Sequence, residues 1–117
     1  MQSRINIRKG NSSEVGSGLR YALKQHGGTG PDSKSQFSIS EQELIQILCR
    51  EDVIDSPVRV SGDSGNFIRE VNVGGVIGNL PRNKGATSTS VITVITDRKG
   101  NLVNTFPGTL GRKAELP

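Results

Sequence analysis

The sequence predicts an α+β domain in which two N-terminal helices pack on a small twisted antiparallel β-sheet. Three observations carry that reading. An apolar stripe at helical spacing ends in Gly27-Gly28, a capping box opens at Ser40, and runs of strand-forming residues fill the stretch from Val58 to Phe106.

The first helix starts at a cap on Ser12 or Ser13 and runs to about His26. Val15, Leu19, Ala22, Leu23 and His26 recur at i, i+4, i+7, i+8 and i+11, which is one helical face. Gly16 and Gly18 weaken its first turn by about 1 kcal/mol each relative to Ala. Gly27-Gly28 is the C-terminal stop, and Gly27 to Ser35 is a loop rich in Gly, Ser, Pro and Asp. The second helix is signalled by Ser40-Glu41-Gln42-Glu43, with Ser40 at the N-cap and Glu43 at N3. Ile39 and Leu44 stand where a hydrophobic staple belongs. This helix runs to about Arg50, with Leu44, Ile47 and Leu48 inward, and Asp55-Ser56-Pro57 ends the helical half.

Three or four strands follow. Val58 to Ser61 is a short one. Asn66 to Val73 is longer, with Phe67, Arg69, Val71 and Val73 in one phase and Ile68, Glu70 and Asn72 in the other. Val76 to Pro81 is apolar but glycine-rich, a kinked strand or an ordered loop, and Arg82-Asn83-Lys84-Gly85 is a basic turn. The clearest element comes last, in Gly85 to Gly108. Ser90 to Thr96 is a Val/Ile/Thr strand, Asp97 to Asn101 is a turn with Gly100 at φ > 0, and Leu102 to Phe106 returns, giving a hairpin near the middle of the sheet.

The bulk numbers bound the function. A chain of 117 residues fits one domain, read as residues 14–117 behind a flexible basic N-terminal arm or linker, 1–13. With 32% hydrophobic residues and 3 Phe plus 1 Tyr as the only aromatics, the core is small and aliphatic. A net charge of +4 and a pI near 9.6 favour an anionic partner such as nucleic acid, mildly, because 11 acidic residues are present. The single cysteine, Cys49, excludes an intrachain disulfide and a Cys-based zinc site, and its apolar setting predicts a buried thiol. No stretch is long enough to span a membrane, and no signal peptide is evident.

His26 is the one histidine. At the end of an apolar helical stripe it is a candidate acid/base, protonated with help from the helix C-terminus, or else a capping or core residue. Arg69 interrupts the apolar phase of its strand. It is either a phosphate clamp or a paired structural arginine. Thr87, Ser88, Thr89, Asn104 and Thr105 present small donors suited to phosphate oxygens or a ribose 2′-OH. Arg82 and Lys84, with Arg98 and Lys99 across the hairpin, suggest a basic rim. The acidic residues show no metal-ligand spacing with the lone histidine, so no metal or other cofactor is expected.

The runs SGLRYALKQHGGTG, SQFSISEQEL, GNFIREVNVGGVIGNLP and TSTSVITVITDRKGNLVNTFPG together resemble the C-terminal toxin domains of bacterial contact-dependent growth-inhibition proteins, the CdiA family, and within them the RNases that cleave transfer RNA. The resemblance implies a metal-independent endoribonuclease on a fold comparable to the barnase, EndoU and RelE group. It implies delivery as the C-terminal part of a larger exoprotein into the cytoplasm of a target bacterium. It also implies a cognate immunity protein and, by likeness to some members, activation by elongation factor Tu. Carried onto this chain, His26 is the acid/base, and Arg69, Thr87, Ser88, Thr89 and Thr105 bind phosphate. The chain lacks the second histidine and the glutamate that some RNases of this group use. The alternative reading is a non-catalytic basic RNA-binding module, against which stands the lack of a pair of aromatics spaced for base stacking.

Overall fold

Leu19, Ala22 and His26 fall on one side of a helix and are all buried, so the first element described is helical for the reason the spacing gives. The computed structural model describes Ile5 and residues 19–28, 33–62 and 65–109. Within them α1 (Leu19–His26) is followed by β1 (Gln36–Phe37), α2 (Glu41–Leu48) and α3 (Glu51–Ile54). Then come β2 (Arg59–Val60), β3 (Phe67–Asn72), β4 (Gly78–Asn79), a 3₁₀ turn (Arg82–Lys84), β5 (Ser88–Thr89), β6 (Val91–Thr96) and β7 (Leu102–Pro107). The expected start of the first helix at Ser12 or Ser13 lies outside the described residues, as does most of the expected arm. Ile5, within that arm, is buried in the core.

The class is α+β, with three α-helices and two antiparallel sheets among the described residues, and these sheets do not close into a barrel. This corrects the expectation of two N-terminal helices on one sheet. β1 intervenes between the first two helices and pairs with β4, which pairs with β5, forming a separate three-stranded sheet. The main sheet has the order β2-β3-β6-β7. The hairpin therefore places β6 inside the sheet and β7 at its end, where α1 packs along it.

Local chemistry explains the best-formed pieces. Ser40 Oγ accepts from Glu43 N–H at 3.1 Å, and Glu43 Oε1 accepts from Ser40 N–H at 3.2 Å, a complete capping box that fixes the start of α2. Leu44 and Leu48 then point into the core, each contributing about 1.5–3 kcal/mol by burial. The helix stops at Leu48, with Cys49 as its C-cap, so the thiol leaves the buried stripe and is exposed, contrary to expectation. In the hairpin turn, Asp97 Oδ1 accepts from the N–H groups of Lys99 and Asn101, both at 2.9 Å, and Gly100 takes φ 89°. At Gly78 the two sheets meet. A Cβ there would lie 2.4 Å from the Gln36 carbonyl oxygen and 2.6 Å from Pro107 Cγ, so only glycine admits this crossing.

The ladder assigns faces. Phe67 pairs with Thr96, Arg69 with Val94 and Val71 with Ile92, while Val94 in turn faces Thr105 and Ile92 faces Pro107. That face meets the core of Leu44, Leu48, Val53, Ile92, Val94 and Leu102. The opposite face carries Ile68, Glu70, Thr93, Ile95, Asn104 and Phe106.

Candidate active site around His26

His26 ends α1, and the chain then reverses at Gly27-Gly28, with Gly28 at φ 106° and Gly27 N–H bonded to the Leu23 carbonyl at 2.8 Å. The loop returns Ser33, Lys34 and Ser35 beside the imidazole. Nδ1 of His26 donates to the Ser35 carbonyl at 2.7 Å, and Ser35 Oγ stands 3.4 Å from the same nitrogen. A carbonyl oxygen only accepts, so this bond puts the proton of the neutral ring on Nδ1 and the lone pair on Nε2. Among the described residues Nε2 has no hydrogen-bond partner. The ring stacks on Phe106 of β7, with centroids 5.1 Å apart and planes 30° apart.

The returning loop is held by Gln36, itself 7% exposed. Its Oε1 accepts from Gly28 N–H at 2.8 Å, and its Nε2 donates to the carbonyls of Gln25 at 3.0 Å and Lys34 at 3.3 Å. One amide thereby ties the end of α1 to both ends of the loop that frames His26.

His26 opens on a cleft of about 340 Å³ whose walls include Lys34, Ser33, Ile95, Asn104, Phe106 and Thr109. Burial pushes the imidazole below its usual pKa. The Ser35 carbonyl works in the opposite direction, and the Lys34 charge lowers it further. The expectation of an imidazolium held by the helix C-terminus is corrected here, because desolvation in the cleft and a neighbouring ammonium favour the neutral ring. A neutral imidazole with a fixed Nδ1 proton and an accepting Nε2, in a cleft with a cation and a carboxamide, can accept a proton from a hydroxyl and stabilise an anion beside it.

The structure brings Asn104 to His26 but separates most of the other expected site residues. Thr105 is wholly buried, on the sheet face opposite Asn104 and Phe106, and its Oγ1 donates to the Thr93 carbonyl at 2.8 Å. It cannot face His26, because neighbouring residues of a strand point to opposite sides. Arg69, 3% exposed, shares that opposite face; its Nε donates to the Ile54 carbonyl at 3.1 Å and Nη1 to Thr96 Oγ1 at 3.3 Å. It lines a different cavity, bounded by α3 and β2. Thr87, Ser88 and Thr89 belong to the three-stranded sheet at β5. Thr87 and Ser88 are exposed, and Thr89 Oγ1 accepts from Val91 N–H at 3.2 Å. None of the three lines the His26 cleft. Arg82 donates to the Gly28 carbonyl at 3.4 Å, and Lys84 is exposed on the same 3₁₀ turn, while Arg98 reaches the Gly65 carbonyl at 3.5 Å. The four expected rim cations thus stand in two pairs, Arg82 and Lys84 on the 3₁₀ turn and Arg98 and Lys99 in the hairpin turn between β6 and β7.

Sequence reading passed over Lys34, Ser35 and Gln36. The signal available was the strong stop at Gly27-Gly28 ahead of a short loop, which turns the chain back toward the residue it has just left.

Comparison with known proteins adds no relative: no family, no curated protein and no solved structure matches the chain. Among the described residues, no helix is long and apolar enough to cross a membrane.

Proposed function

We propose that the chain is a ribonuclease toxin of the contact-dependent growth-inhibition type, cleaving transfer RNA with His26 as the base. The observation that carries the reading is the state of His26: neutral, its proton fixed on Nδ1 by the Ser35 carbonyl, with Lys34 and Asn104 in the same cleft. Nε2 removes the proton of a ribose 2′-OH, the 2′-oxygen attacks the adjacent phosphorus, and the 5′-oxygen leaves and takes a proton from solvent. Lys34 and the Asn104 amide stabilise the charge that builds on the phosphoryl oxygens. The products are a 2′,3′-cyclic phosphate and a 5′-hydroxyl end. The net charge of +4 supports an RNA substrate, and the closing sequence pattern supports the toxin family.

The same proposal includes kinship with the barnase, EndoU and RelE group, an immunity protein as inhibitor, elongation factor Tu as the presenter of tRNA, and delivery by a larger exoprotein. The sequence resemblance supports these partners and this route. Incubation of total tRNA with the chain in EDTA tests the central step. Cleavage with cyclic-phosphate ends is expected, and His26→Ala is expected to lower its rate by about 10²- to 10⁴-fold, the usual worth of a general base. Intact but gel-shifted tRNA would replace the enzyme with an RNA-binding module, and full activity of the variant would remove His26 from the mechanism.

A further inference from the structure

A second cavity lies away from His26, between the end of α3 and the β2 margin of the main sheet. It measures about 730 Å³, and its walls are Ile54, Val58, Val60 and Phe67, with Asp55 and Ser56 at one side and Arg69 among them. Val58 and Val60 are 41% and 50% exposed, two of the three large apolar side chains that stand in solvent among the described residues. Paired valines beside an apolar cavity form a patch, unlike a single exposed apolar residue, and such patches mark contact surfaces.

Among the described residues, the backbone beside this patch is also open. β2 is the end strand of its sheet. Ser61 N–H bonds to the Asn66 carbonyl at 2.9 Å, and the register pairs Arg59 with Ile68 and Val60 with Phe67. In an antiparallel ladder, residues alternate between directing their N–H and C=O at the partner strand and away from it. Ser61 and Arg59 point inward, so Val60, and by the same period Val58, point their polar groups outward. Such an edge is a template for another strand.

Charge decides what kind of strand fits. Arg69 is a guanidinium at 3% exposure in this apolar setting, and burial lowers its pKa while Asp55 raises it. A cation held against desolvation gains from any further anion that closes the cavity over it. The chain itself carries a net charge of +4, which disfavours a second copy on this surface and favours an acidic partner.

We propose that this margin docks an extended segment of an acidic partner protein. The segment adds to the sheet along Val58–Val60, seats an apolar side chain among Ile54, Val60 and Phe67, and brings a carboxylate to Arg69. Val60, Phe67 and Arg69 lie on the sheet face opposite Asn104 and Phe106, so a partner bound here leaves the His26 cleft open. The proposal is independent of the RNase reading.

The test uses the full ¹⁵N-labelled chain and two blocked pentapeptides, one alternating glutamate with valine and its lysine counterpart, each at about 1 mM, where a short strand can bind measurably. The acidic peptide is expected to shift the Val58 and Val60 amide resonances and slow their hydrogen exchange by about threefold or more, while the lysine peptide leaves them unchanged. Val60→Lys, at a half-exposed site that tolerates polarity, abolishes the response, and Arg69→Met, if folded, removes the preference for acid. His26→Ala binds the acidic peptide as the native chain does. Val60 amide exchange that is already slow in the free chain, no response to the acidic peptide, or equal responses to both peptides would overturn the proposal.

Discussion

Gln36→Leu probes how the loop beside His26 is held. The substitution keeps the size of the side chain and deletes the hydrogen bonds at 2.8, 3.0 and 3.3 Å that join Gly28, Gln25 and Lys34. A net worth of about 0.5–1.5 kcal/mol per bond, with the longest counted at the low end, gives a loss of roughly 2–3 kcal/mol. For a chain of this size that corresponds to a fall in Tm of roughly 6–12 °C. Urea unfolding followed by circular dichroism should show the lower midpoint with an unchanged slope. The His26 ring should report the same event independently. Once Lys34 and Ser35 are released, the dominant cause of its lowered pKa, burial, is relieved, and its NMR titration should move up toward the ordinary 6.5. A stability loss below about 0.5 kcal/mol, together with a native His26 titration, would refute the role of Gln36 in holding the loop.

Two further outcomes follow from packing and protonation. Leu48→Ala, at a position with 0% exposure where α2 enters the core, is expected to cost about 2–5 kcal/mol in urea unfolding, whereas Gln46→Ala on its exposed face should change stability by less than about 0.5 kcal/mol. His26 has a folded pKa below its unfolded value of 6.5, so between the two values the unfolded chain binds more protons. Its contribution to stability is fully present above pH 6.5 and is lost as pH falls toward the folded value. His26→Phe should flatten that part of the pH–stability curve, and an unchanged slope would contradict the assignment of a buried neutral ring.

The parts of the fold that were legible in the sequence are those whose cause is local. Ser40 and Glu43 satisfy each other within one helical turn, Gly27-Gly28 stops α1, and Asp97 with Gly100 builds its turn from groups four residues apart at most. The two-residue strands β1 and β5 were not legible, and β4 only as a kinked strand or an ordered loop within Val76 to Pro81, because two residues carry no period and their pairing is set by Gly78 passing under Gln36 and Pro107. The short helix α3 escaped for a similar reason: its N-cap, Arg50, makes no side-chain cap bond.

The site divides the same way. His26 was legible as the one side chain suited to proton transfer at neutral pH, and Asn104 as a nearby donor. Grouping Arg69 and Thr105 with them required knowing which face each strand turns toward α1. Strand phase gives relative faces within one strand only; the pairing of Val94 with Thr105 and of Thr93 with Phe106 is what separates Arg69 and Thr105 from the His26 cleft. Lys34 and Ser35 reach His26 through a loop closure that no spacing rule encodes.

The central claim is that neutral His26, with Nε2 accepting, is the base that starts RNA cleavage. The most direct measurement sets the pH dependence of kcat/KM for tRNA cleavage beside the NMR titration of the His26 ring in the same chain. The account predicts an acid limb whose midpoint coincides with the His26 pKa, lies below the ordinary histidine value, and moves with it in Gln36→Leu. A rate that is flat through the His26 titration, or a limb that stays in place when the His26 pKa moves, would contradict it.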